Sequence, residues 1–138
     1  MTAIGTALSG LQASVARMSA SAANIANAGS TGRLPSPAPA TPAAAPTSPT
    51  AYQPIRTQQS PVPGGGVAAS FVPVTPSTVP QYDPSSPDAN ADGMVAAPNV
   101  DVTDELVQQL VAKQEFGANL SVIRTSNRMD QSLFEIWA

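Results

Sequence analysis

Residues 3–27 read AIGTALSGLQASVARMSASAANIAN, and the spacing of the larger apolar side chains in this stretch decides the fold. Ile4, Leu8, Leu11, Val15, Met18, Ala22 and Ile25 follow one another at alternating intervals of four and three. That is a heptad seam, the pattern of a helix that packs lengthwise on another helix. Beside the seam the residues are small, among them Gly5, Ala7, Gly10, Ala13, Ser14, Ala20 and Ser21. Small flanks let neighbouring backbones approach on several sides. Thr2 is the expected N-cap and Gly29 the expected left-handed stop after Asn27. Such a helix is about 37 Å long at 1.5 Å per residue. Burying one stripe of it falls well short of the entropy lost in ordering its backbone, and Gly5 and Gly10 widen the gap. The helix needs partners.

Outward from this segment, the prolines mark where helix is allowed. All 15 lie between Pro35 and Pro98, none in 1–34 and none in 99–138. Proline removes a backbone donor and clashes with the preceding turn, so helix is confined to the two ends. The expected architecture is mainly α. Segment 1–29 is an N-terminal helix, 30–50 a Pro/Ala-rich linker, 51–98 a β-hairpin with a turn-rich loop, and 99–138 a C-terminal helix. The two helices are expected to form a coiled-coil core layer.

Within the insert, Ala51–Gln58 and Val67–Val74 carry β-type residues on either side of Ser60–Gly66, which contains three consecutive glycines. This predicts a hairpin of edge character, since Pro54 and Pro73 forbid central ladder positions. Gln81–Pro98 reads as a loop. The C-terminal helix starts near Asp101 or Thr103 as cap, with Asp104 and Glu105 in its first turn. It carries two apolar stripes. Phe116, Leu120, Ile123, Phe134 and Trp137 form one, interrupted by Asn127 and Asp130; Val122, Met129, Leu133 and Ile136 form the other. A helix apolar on two faces is enclosed by more than one neighbour.

Composition excludes most chemistry. The chain of 138 residues has no cysteine and no histidine, so the usual nucleophile partner, general base and transition-metal ligands are missing. Aromatic residues make up 4% and charged residues 11%, too few to line an ordinary substrate pocket. A net charge of −3 offers no footprint for nucleic acid. No segment reaches the roughly 20 apolar residues of a membrane span. The first basic residue is Arg17 and polar residues recur throughout, unlike a secretory signal. No cofactor is expected.

Four local patterns have simpler readings than a site. Asp88-Ala89-Asn90-Ala91-Asp92-Gly93 matches half of an EF-hand loop, but Asn99 stands where the bidentate glutamate belongs, so an Asx-rich turn is expected. Gly64–Gly66 lacks the Lys-Ser/Thr of a phosphate loop and reads as a hairpin tip. Asp104, Glu105 and Glu115 are better placed for helix-start electrostatics than for acid/base work. Arg124 and Arg128, four apart, suit ion pairing between subunits or solvation.

The residues then resemble a known family. Ser9-Gly10-Leu11-Gln12-Ala13, Arg17-Met18 and Asn24-Ile25-Ala26-Asn27-Ala28 are similar to the N-terminal signature of the axial (rod and hook) proteins of the bacterial flagellum. Tyr82–Ala89 with Asp92-Gly93, Ala97–Val102, Glu105-Leu106-Val107, Ala118-Asn119 and Asn127-Arg128-Met129 resemble its short proximal-rod members. The likeness covers roughly 3–28 and 82–138. It implies a structural, non-catalytic subunit of the basal-body rod in the periplasm, exported unfolded by the flagellar type III pathway with its N-terminus retained. Implied partners are copies of itself, other rod proteins, the export apparatus and the basal-body rings. The terminal helices would form an inner layer around a lumen and transmit torque from motor to hook.

On this reading the assembly interface comprises Ile4, Leu8, Leu11, Val15, Met18 and Ile25, with Asn24 and Asn27, on the first helix. Leu106, Leu110, Phe116, Leu120 and Ile123, then Met129, Leu133, Phe134 and Trp137, form it on the second. Some contacts would lie within a chain and others between chains. A mostly disordered coiled adaptor that binds one partner, and a hydrolase using the carboxylates, are the competing readings.

Overall fold

A computed structural model describes residues 3–34 and 50–137. Two helices bracket four short strands: α1 (Ala3–Asn27), β1 (Ile55–Pro61), β2 (Val67–Pro73), β3 (Thr78–Tyr82), β4 (Met94–Pro98) and α2 (Val102–Trp137). The expected cap at Thr2 and most of the expected linker lie outside the described residues.

α1 covers the residues that its pattern predicts. It does not end on a left-handed glycine. Gly29 has no positive φ, and the helix unwinds through two tight turns, Ala28 N–H to Ile25 O and Ser30 N–H to Asn27 O. The Ser30 hydroxyl also donates to Asn27 O at 2.9 Å. A side chain thus supplies the donor that a left-handed cap would have supplied. At the start of α2, Asp101 Oδ1 accepts the N–H groups of Thr103 and Asp104, which makes Asp101 the N-cap.

β1 and β2 form an antiparallel hairpin that runs from Ile55 opposite Pro73 to Pro61 opposite Val67. Its tip closes with Gly65 N–H to Val62 O and Val62 N–H to Gly66 O. Gly64, Gly65 and Gly66 have φ of 91°, 101° and 91°, values that only glycine adopts without strain. β3 and β4 pair as a second antiparallel ladder where the sequence had suggested only a loop. Pro80 and Pro98 lie in these strands and alanines fill β4, so the usual β-branched signal is weak. The other edge of β4 is bridged by Gly32, which exchanges two backbone hydrogen bonds with Ala96.

α1 is the centre of the arrangement. It packs on α2 along one side and on both strands of the first hairpin along another. The helices are antiparallel: Gly10 meets Asn119, Arg17 meets Glu115, and Ser21 and Asn24 meet Glu105. Extending that register, Ala3 lies roughly level with Ser126. The last 11 residues of α2, about 16 Å at 1.5 Å per residue, run on past the start of α1.

What is buried is small. Ala7, Ala13, Ser14, Ala20, Ser21 and Asn24 of α1 and Ala112 of α2 line the junctions around α1, while Val95, Ala96 and Ala97 of β4 make a second cluster. Among the described residues the largest fully buried side chain is Val95. This departs from the expected seam. The large residues of α1 are open or stand at the rim of its contacts, and the small ones occupy the fully buried junction, where they let the backbones close up. At Gly10 even a Cβ would stand 2.6 Å from Asn119 Nδ2.

Candidate assembly interface

The heptad seam of α1 divides into two rows. Ile4, Leu11, Met18 and Ile25 are half-buried at the rim of the helix and hairpin contacts. Leu8 and Val15 are each 49% exposed, and Ala22 lies open beside them. This outer face continues through Gln12, Ser19 and Ala26 and holds no charge. Arg17, the one charged residue of α1, turns instead to α2, where its Nη1 sits 3.0 Å from both oxygens of Glu115.

α2 repeats the division along its length. Phe116, Leu120 and Ile123 are half-buried on the side that faces α1. Leu106 and Leu110 are exposed, as are Val107, Val111 and Val122. Beyond the start of α1 nothing in the chain covers the helix among the described residues. Met129 and Leu133 are more than half exposed, Phe134 is 77% exposed and Trp137 94%. Ile136 joins them at the same end.

Asn24 is elsewhere than the sequence suggested. It is 1% exposed, and all four of its hydrogen-bonding positions are filled within the chain. Nδ2 donates to Ile55 O at 2.7 Å and to Glu105 Oε1 at 2.6 Å. Oδ1 accepts from Ile55 N–H at 3.0 Å and from the Tyr52 hydroxyl at 3.1 Å. One amide therefore ties α1 to the base of the hairpin and to the first turn of α2. Burial, reinforced by the negative Glu105, pushes the Tyr52 phenol above its ordinary pKa. Asn24 has no capacity left for another subunit. Asn27, half-buried, donates to Ala23 O at 2.8 Å and finishes the helix.

The remaining polar patterns resolve locally. Asn90 Oδ1 accepts the N–H groups of Asp92 and Met94, an Asx turn that occupies the oxygen a calcium loop would need. Glu105 and Glu115 are engaged with Asn24 and Arg17, so the three carboxylates do not converge. Arg124 and Arg128 are exposed and form no ion pair among the described residues. Ser9 Oγ accepts the Val67 N–H at 3.1 Å, fastening the hairpin tip near the start of α1.

The close face of α1 is built by the small residues that flank the seam, and their spacing is its signal. Ala7, Ser14 and Ser21 stand seven apart, as do Ala13 and Ala20. A heptad of small residues is as regular as one of large ones. Tyr52 and the Arg17–Glu115 pair had no comparable signature.

Comparison with known proteins finds likeness to flagellar basal-body rod proteins. The sequence model of the family described as "Flagellar basal body rod FlgEFG protein C-terminal" matches residues 91–136. The flagellar basal-body rod protein FlgC of Agrobacterium fabrum is 29% identical over 133 residues, 93% of this chain and 88% of that protein. FlgC of Bacillus subtilis is 38% identical over 55 residues, 40% of this chain and 37% of its own length. FlgC of Salmonella typhimurium is 42% identical over 48 residues, 35% and 36% of the two chains.

Proposed function

We propose that the chain, similar to the flagellar basal-body rod proteins, is a structural subunit of that rod rather than an enzyme and builds its proximal part through the faces its own fold leaves open. One observation carries this reading: large apolar side chains are exposed along both helices, while the buried residues described are alanine and serine with one asparagine, one valine, one glycine and two prolines. Apolar surface of that extent on a small chain is a binding surface. Burial of each large side chain in an assembly contributes about 1.5–3 kcal/mol, far more than the buried alanines supply.

In the proposed arrangement the terminal helices stand in an inner coiled-coil layer and the two small ladders pack outside it. Contacts are heterologous, so subunits add along a helical path instead of closing into a dimer. The subunit then passes torque from motor to hook. Its partners are further copies, other rod proteins and the surrounding basal-body rings, within the periplasm. A chain held together by so little internal burial suits type III export unfolded, followed by folding on the growing rod.

The test uses residues whose replacement leaves the chain's own packing alone. Leu8→Asp and Leu133→Asp, made separately, each place a charge on an exposed apolar face. Loss of motility and of the subunit from purified basal bodies is expected. Wild-type swimming with normal rods in both strains refutes the interface.

A further inference from the structure

The two ends of the helix pair differ in a way that makes them fit. At one end α2 projects beyond α1 with Leu133, Phe134, Ile136 and Trp137 clustered and exposed. Phe134 and Trp137 continue the stripe through which Phe116, Leu120 and Ile123 face α1. Among the described residues α1 begins at Ala3 and does not reach them. Near the other end, about 38 Å away along α2, an apolar groove of about 370 Å³ lies between the helices. Met18, Leu106, Gln109, Leu110 and Lys113 line it.

Charge at the two places is opposite. Lys113 rims the groove, and Glu135 stands between Phe134 and Ile136 on the projecting turn. Neither forms an ion pair among the described residues. On a rigid helix they are too far apart to meet within one chain.

We infer that the projecting end of α2, Met129–Trp137, docks into the Met18–Leu106–Leu110 groove of a second copy of this chain, with Glu135 meeting Lys113. The inference rests on the rod reading and names one of its contacts. The occupant follows from continuity: the stripe that uses α1 inside the chain ends on side chains shaped for the same kind of surface. The groove supplies that surface, with Met18 from α1 at its wall. Each copy offers one projection and one groove, so the contact is head-to-tail and leaves a free end for the next copy. Glu135–Lys113 fixes the register, because sliding by one turn would set a charge against leucine.

The chain carries its own reporter, since Trp137 is its only tryptophan and lies in the projecting end. With purified full-length protein, Trp137 emission is expected to move to the blue as concentration rises. Lys113→Glu or Glu135→Lys alone should raise the concentration of half-association by about tenfold. Mixing the two single variants should restore it, because in a chain of alternating variants every junction pairs opposite charges. Both residues are exposed, and matching circular dichroism of the dilute variants confirms that neither has merely unfolded. Concentration-independent emission overturns the contact. So does a shift that ignores both reversals, or one that appears only when a different rod protein is added. None of these outcomes touches the rod reading, which basal-body composition in the Leu8→Asp strain decides.

Discussion

One face of α1 carries alanine, serine and asparagine and is closed within the chain; the adjoining face carries isoleucine, leucine, valine and methionine and is wholly or partly open. In an ordinary domain the two would be exchanged. The difference shows that burial here follows closeness of approach more than hydrophobicity. Small residues let α2 and the hairpin come within hydrogen-bonding reach, and Ser21 and Asn24 exploit it. Large residues would have held those backbones apart, and they are left for surfaces that other molecules can cover.

Asn24 is where this comparison breaks most easily. Asn24→Leu preserves volume but strands the Ile55 backbone pair, the Tyr52 hydroxyl and the Glu105 carboxylate. A loss of about 4 kcal/mol is expected, at the lower end of 1–3 kcal/mol for each group left unsatisfied. Amide exchange at Ile55 should accelerate together with the fall in urea midpoint. Protection equal to that of the original protein would show that the node does not hold the hairpin.

The next test sets the two kinds of surface against each other. Ala112 is fully buried, so Ala112→Leu overpacks the helix junction, with about 1–3 kcal/mol expected. Val15→Ser, on the open face, should leave the urea midpoint of the dilute chain within about 0.5 kcal/mol and weaken association instead. If Val15→Ser destabilised the dilute chain more than Ala112→Leu, the assignment of inner and outer faces would be reversed. A small effect on stability, with none on association, is expected of Arg17→Ala. Its pair with Glu115 is partly exposed, so less than about 1 kcal/mol is expected, diminishing further in high salt.

Much of this was legible beforehand. The confinement of proline to the middle of the chain located both helices, Asp101 announced the start of α2, and three glycines marked the hairpin tip. The β3–β4 ladder was not legible, because its prolines and alanines give little strand signal and the free edge of β4 is bridged by Gly32, more than 60 residues earlier. The site was half legible. Its large apolar residues stood out by spacing, but which of them remained open depended on the level at which α1 stops along α2.

The amino-acid order alone thus determined where helix can form and which residues repeat every seven, since proline chemistry and side-chain periodicity are local properties. Only the tertiary structure decided which repeat faces inward, that Asn24 is consumed inside the chain, and that α2 outruns its partner. Those outcomes depend on distances between segments far apart in sequence, where the closest backbone approach goes to the smallest side chains.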